Sequence, residues 1–308
     1  MSLEDKSVKE YQAKIKTIFK KYGGGQVEAG ISAQLDACFK EILNAGLSTK
    51  TVKKYRAVIY WYAELKGVDL KKNNYAIDFE SRDSGKRQAY ELDKRIKMIA
   101  NIEKVSSGYR EFVYLNLICG ALIGYRMSEI PSLKIKEYND DKFFIEIKNG
   151  KATNGRGLGA YRGFWLARYF GNFDLCEIIE RLRNIAVSYE DFDRYLASAS
   201  VAHGRVAAKI FTDCKPPVMS GMRHQFKLNL LAGGLSELEV SALMGHISDL
   251  THKRNYGRKT KRSGTPSPQE VEFCKEVEVA QDLVSKVRLV SEKQKGYGLR
   301  RGQGGPKM

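Results

Sequence analysis

The chain has 308 residues and a formal net charge of +17, from 53 lysines and arginines against 36 aspartates and glutamates. That length suits two domains, each able to bury a core, and the charge makes nucleic acid the leading partner, with binding that weakens as salt rises. Five scattered cysteines without a CxxC pair speak against a disulfide scaffold and a zinc site. The apolar run from Phe112 to Ile123, broken by Asn116 and Gly120, falls short of the ~20 residues a membrane span needs. The opening MSLEDKSVKEY is charged from its fourth residue, unlike a signal peptide. A cytoplasmic protein is expected.

Residues 1–72 have the pattern of a helical domain. Ile31, Leu35, Cys38, Phe39 and Ile42 fall three or four apart between Gly30 and Gly46, on one helical face. Ser48 or Thr49 can cap the next helix, whose apolar stripe is Val52, Tyr55, Ile59 and Tyr62 and whose stop is Gly67. Its other face shows Lys50, Lys53, Lys54 and Arg56, candidate DNA-phosphate contacts or simply a solvated helix face. From 73 to 89 the composition turns polar and the period is lost, as in an interdomain linker.

Residues 90–264 form the second domain candidate. Helical patterning runs from Tyr90 through Glu103, and Phe112 to Ile123 suits a helix buried on most sides. It ends in GYRMSEIPSLK, where Gly124 and Pro131 mark a break and a restart and Arg126 stands on a rigid support. Lys142 to Lys148 has strand character, Asn149-Gly150 signals a hairpin turn, and the return strand is expected within GRGLGAYRGFWL, with Lys151 just beyond the turn. These glycines form no GxxxxGK[ST] loop, so nucleotide binding is not expected.

Helical patterning returns from Phe170 to Lys209, and Lys215-Pro216-Pro217 imposes an extended approach to a helix ending near Gly233-Gly234. Ser236 and Glu239 have capping-box spacing for a following helix that stops at Gly245, which holds His246 just past a helix C-terminus. After Tyr256 comes a basic run. Residues 265–308 then suggest one last helix from about Gln269 to Glu292, with Val271, Cys274, Val277, Val284, Val287 and Val290 on one stripe, and a basic tail.

Cleaving a phosphodiester without a metal requires a nucleophile, neutralisation of the non-bridging oxygens and an acid for the leaving oxygen. Arginine suits the second task through its planar, permanently charged fork, and Arg126 and Arg223 are the candidates. Arg126 could instead pair with Glu129 or cap the buried helix. A tyrosine nucleophile, with a free pKa of ~10, needs a nearby histidine or lysine to assist its deprotonation.

Gly124-Tyr125-Arg126-Met127-Ser128-Glu129-Ile130, Gly150-Lys151, Met222-Arg223-His224, Leu243-Met244-Gly245-His246 and Tyr256 resemble, in order, the motifs of the tyrosine recombinases, or phage integrase family. The resemblance spans roughly Tyr90 to Arg258, and the LSTKTVKKY helix looks like the start of that family's core-binding domain. It implies a mainly α fold with a small antiparallel β-sheet, arranged as a two-domain clamp: a helical core-binding domain plus an α+β catalytic domain. It further implies that Arg126 and Arg223 hold the scissile phosphate, that His246 adds a hydrogen bond, that Lys151 protonates the leaving 5′ oxygen and that Tyr256 forms a 3′-phosphotyrosine. Rejoining would need no ATP, cofactor or metal.

The chain departs from the family at two places. Ser220 stands three residues before Arg223, where the family carries a histidine, and a serine hydroxyl can hydrogen-bond to phosphate but does not titrate near neutral pH, so one acid–base contributor is missing. His224 and His252 are the candidate substitutes, and Lys148 is an alternative to Lys151. Tyr256 also follows His246 by one residue more than the family pattern. The expected function is a site-specific recombinase or integrase serving a mobile element, acting on double-stranded DNA as a homotetramer and nucleoid-associated when bound. The valine stripe would dock on a neighbouring protomer or pack on its own domain. The alternative function is a DNA-binding regulator or architectural protein that keeps the fold and has lost the chemistry.

Overall fold

The computed structural model describes residues 5–23, 30–70, 75, 89–150, 158–246 and 264–302. The chain divides into two compact units, Met1–Lys86 and Arg87–Met308.

The first unit contains α1 (Asp5–Tyr22), α2 (Ile31–Asn44) and α3 (Thr49–Leu65). Leu35, Cys38, Phe39 and Ile42 of the expected α2 face are fully buried, whereas Ile31, at the first turn, is 38% exposed. Ser48 is the cap of α3 and accepts the Thr51 N–H at 3.3 Å, and Gly67 turns the chain at φ +66°. Of the expected linker, 73–89, only Tyr75 and Ala89 lie among the described residues. Tyr75 is fully buried, its ring 5.0 Å from Phe39 and 5.3 Å from Tyr60, because an aromatic side chain gains more from the core than from solvent.

In the second unit α4 (Leu92–Ile99) precedes the central helix α5 (Ser107–Ile123), and every residue from Phe112 to Ile123 except Tyr114 is buried. The polar break Asn116 is tolerated there because the Tyr125 hydroxyl donates to its Oδ1 at 2.7 Å. Strands β1 (Lys134–Tyr138), β2 (Lys142–Lys148), β3 (Tyr161–Ala167) and β6 (Glu278–Val279) form an antiparallel sheet in the order β1-β2-β3-β6. A small pair, β4 (Tyr169–Phe170) and β5 (Phe173–Asp174), occupies the start of the stretch expected to be helical. Helices α6 (Leu175–Val187), α7 (Phe192–Ile210), α8 (Met222–Ala232) and α9 (Glu237–Leu243) follow. The capping box of α9 is present, with Ser236 N–H donating to Glu239 at 2.7 Å and Glu239 N–H to Ser236 Oγ at 3.3 Å. The unit is therefore mainly α with a small antiparallel sheet, as expected.

Asn149-Gly150 is not a tight turn. Asn149 is 5% exposed, its side-chain amide donates to the Gly159 carbonyl at 3.0 Å, and the return strand starts at Tyr161. The expected C-terminal helix is also broken, into α10 (Pro268–Lys275) and α11 (Gln281–Gly302) with β6 between them. Val279 pairs with Phe164 of β3, and that sheet bond competes with helix continuation. Val277, Val284 and Val287 of the expected stripe are buried within their own unit, the last two against Ala242 of α9 and Leu158.

Candidate active site

Helix α5 ends at Gly124, whose φ is +68°. A Cβ there would stand 1.9 Å from the Phe226 ring of α8, so only glycine permits both the turn and the helix contact. The chain then enters a short 3₁₀ turn, Met127–Ser132, with Arg126 as its N-cap. Glu129 closes this turn onto Arg126 twice. It accepts the Arg126 backbone N–H at 2.8 Å and Arg126 Nη1 at 2.5 Å. The lesser reading of Arg126 as a partner of Glu129 thus holds, whereas the cap of the buried helix is Gly124 and Arg126 caps the 3₁₀ turn instead; its side chain stays 22% exposed.

Arg223 lies on the first turn of α8 and is 8% exposed. Its Nη1 donates to the Gly124 carbonyl and its Nη2 to the Met244 carbonyl, tying α8 to the ends of α5 and α9. Its Nη1 also stands 3.9 Å from Glu129 Oε2, so one carboxylate brings Arg126 and Arg223 together. Helix α9 ends in a Schellman motif, with His246 N–H donating to the Ser241 carbonyl at 2.8 Å and Gly245 N–H to that of Ala242 at 2.9 Å. Gly245 has φ +62°, and a Cβ there would meet Asn149 Oδ1 at 2.6 Å. His246, held just beyond, is 6% exposed.

Sequence reasoning passed over Arg162, Asn149 and the full role of Glu129. Arg162, 1% exposed, donates Nε to the Leu243 carbonyl at 2.9 Å, Nη1 to Asn149 Oδ1 at 2.6 Å and Nη2 to Glu129 Oε2 at 2.7 Å. Glu129 also accepts the Gly150 N–H at 3.2 Å, which fastens the backbone next to Lys151 to the Arg126 turn. Burial pushes the Glu129 carboxyl up, but the guanidiniums of Arg162, Arg223 and Arg126 outweigh it and hold the carboxyl at about 2, against an ordinary 4.5. The missed signal was alternation. Arg162 shares the inward phase of β3 with Phe164 and Leu166, and an arginine in that phase must have buried partners.

The remaining candidates separate by position. Lys148 is exposed at the end of β2, in the phase opposite to Phe143, Ile145 and Ile147, and so faces away from the side on which Asn149 meets Arg162. Ser220 is half-buried in the 3₁₀ turn Met219–Gly221 leading into α8, three residues before Arg223. His224 is half-buried and leaves α8 about 100° round from Arg223. Lys151, His252 and Tyr256 lie outside the described residues. In the first unit, Lys50 and Lys53 are exposed, Lys54 Nζ is 2.8 Å from Glu10, and Arg56 Nη1 donates to the Tyr75 carbonyl at 3.1 Å.

No family model matches the sequence, and no curated protein matches it. Solved structures do match the fold. A lambda integrase dimer bound to a COC′ core site superposes with a TM-score of 0.55 at 15% identity, over 87% of this chain and 76% of that one. A lambda integrase tetramer bound to a Holliday junction gives 0.56 at 16% identity, over 85% of this chain and 76% of that one. The Tn1549 transposon integrase in complex with transposon right end DNA gives 0.52 at 14% identity, over 84% of this chain and 91% of that one. The chain has the tyrosine-recombinase fold. Among the described residues no helix is long and apolar enough to cross a membrane.

Proposed function

We propose that the protein is a site-specific DNA recombinase that cleaves and rejoins strands through a 3′-phosphotyrosine. The observation that carries this reading is the convergence of Arg126, Arg223 and the His246 turn, from three distant parts of the sequence, around one buried carboxylate within a recombinase fold. Arg126 and Arg223 bind the non-bridging oxygens of the scissile phosphate, and His246 adds a hydrogen bond as charge develops there. Tyr256 attacks phosphorus, and Lys151 gives a proton to the departing 5′ oxygen. The tether from Gly150 to Glu129 and the outward phase of Lys148 favour Lys151 over Lys148 as that acid. The bond energy kept in the phosphotyrosine lets a 5′ hydroxyl reverse the step without ATP.

Residues 1–72 serve as the core-binding domain and contact DNA through Lys50 and Lys53, with 73–89 joining it to the catalytic domain. The solved structures of similar fold were bound to DNA, one of them as a tetramer on a Holliday junction, and this supports a homotetramer on double-stranded DNA here. Service to a mobile element and nucleoid association follow from the same reading. Ser220 supports a second reading, a DNA-binding regulator without chemistry, because a serine hydroxyl does not act as an acid–base group near neutral pH as a histidine does. A nicked suicide duplex carrying the protein's own site distinguishes the two. The recombinase forms a covalent adduct that survives denaturation and is absent in Tyr256→Phe; no adduct with the wild-type chain sinks the recombinase reading.

A further inference from the structure

Arg162 stands inside the site and takes part in none of the steps above. It is 1% exposed, so DNA cannot reach it, and its three hydrogen bonds run to three separate elements: the end of α9, the end of β2 and the Arg126 turn. The last of these matters most, because a carboxylate beside a phosphate site works against that site. Glu129 draws guanidiniums onto itself and repels the anion. Arg126 already lies 2.5 Å from one of its oxygens and Arg223 3.9 Å from the other. With Arg162 counted, three guanidiniums against one carboxylate give these four side chains a net charge of +2. A phosphodiester carries one negative charge and its pentacovalent transition state two, so the balance matches the transition state only while Arg162 offsets Glu129.

We infer that Arg162 is a positioning residue that offsets the Glu129 carboxylate, so that Arg126 and Arg223, which stand beside the same carboxylate, keep a net positive charge for the DNA phosphate. The identity of that anion rests on the recombinase reading; the charge relation between Arg162 and Glu129 does not. Removing the guanidinium lets Glu129 pull Arg126 and Arg223 inward. Removing the Glu129 charge as well restores the balance, although the three bonds of Arg162 are still gone. Charge balance and simple scaffolding therefore predict opposite behaviour for the double variant.

The test compares wild type, Arg162→Met, Glu129→Gln and the double variant Arg162→Met/Glu129→Gln. Inorganic phosphate binding is measured by calorimetry, adduct formation on the nicked duplex at saturating DNA, and melting of each protein alongside. Arg162→Met is expected to lower phosphate affinity and adduct rate by roughly tenfold, within the range of coupled neighbours, and the double variant to recover most of both. A double variant no better than Arg162→Met, or a wild type that binds no phosphate, overturns the inference. If Arg162→Met does not melt cooperatively, Arg162→Lys decides. It keeps a charge on Glu129 while giving up the fork, so phosphate affinity near wild type supports the inference and a tenfold loss overturns it. A wild type that binds phosphate but forms no adduct removes the recombinase reading, while the phosphate affinities still decide the role of Arg162.

Discussion

Glu129 and Glu270 are both buried carboxylates of the second unit, each bonded to an arginine, and they behave oppositely. Three guanidiniums hold Glu129 at about 2 despite its burial. At Glu270 burial prevails over the single Arg95, and the carboxyl is pushed above its ordinary value. Arg95 gives Nε to the Tyr90 carbonyl at 3.1 Å, Nη1 to that of Leu117 at 2.9 Å and Nη2 to Glu270, whose other oxygen accepts Asn229 Nδ2 at 3.1 Å. That knot is closed, at 1% and 0% exposure, and fastens α10 and α8 to the start of the unit. The Glu129 knot keeps surplus positive charge and a partly exposed Arg126. Buried ion pairs of similar appearance thus divide by charge balance: one is neutralised within itself, and the other keeps a net positive charge.

Removing an arginine from each knot should separate these roles most sharply. Arg223→Ala should slow adduct formation by about 10²–10³-fold, the usual loss when a transition-state donor is deleted. Arg95→Met should cost on the order of 3–5 kcal/mol in denaturant unfolding at neutral pH, because it leaves Glu270 buried without its partner, while the adduct rate per folded molecule stays unchanged. A cleavage defect in folded Arg95→Met would break the distinction.

Acid and base should act on the two knots in opposite directions. The folded pKa of Glu129 is depressed, so its stabilisation is complete above pH 4.5 and is lost as pH falls toward about 2. That of Glu270 is raised, so its contribution is present below 4.5 and is lost as pH rises through the shifted value. In unfolding measured across pH, Glu129→Gln should flatten the acid limb and Glu270→Gln should remove a decline above pH 4.5. The same slope change in both variants would refute the contrast.

Smaller effects test the frame around the Glu129 knot and the first unit. Gly245→Ala should destabilise by roughly 1–2 kcal/mol from its left-handed backbone alone, with more from the contact at Asn149, read as a lower melting temperature. Lys53→Ala should reduce the salt slope of DNA binding by about one. Lys54→Ala should reduce it less, because Lys54 already spends its charge on Glu10. Equal slopes would show that the Glu10 pair does not matter on DNA.

Much of the local structure was legible in advance. The buried faces of α2 and α5, the Ser48 cap, the Ser236–Glu239 capping box and the glycine stop before His246 depend on neighbours within a few residues, and sequence spacing reports those directly. Arg126 and Arg223 were also legible as candidates. The expectations that failed involve distant partners. Asn149 resembled a turn residue until Arg162 claimed its side chain, and the C-terminal helix looked continuous until β6 paired with β3.

By itself, the sequence determined a basic, mainly helical chain with two arginines, a histidine and a tyrosine in an order that resembles the tyrosine recombinases, the tyrosine one residue farther along. Only the tertiary structure decided that one buried carboxylate joins both arginines, that Arg162 offsets its charge, and that Val284 and Val287 are covered by their own unit. The reason is physical. Helix faces and caps arise from periodicity and short-range hydrogen bonds, whereas the charge state and partners of a buried group depend on what the folded chain brings to it from far along the sequence.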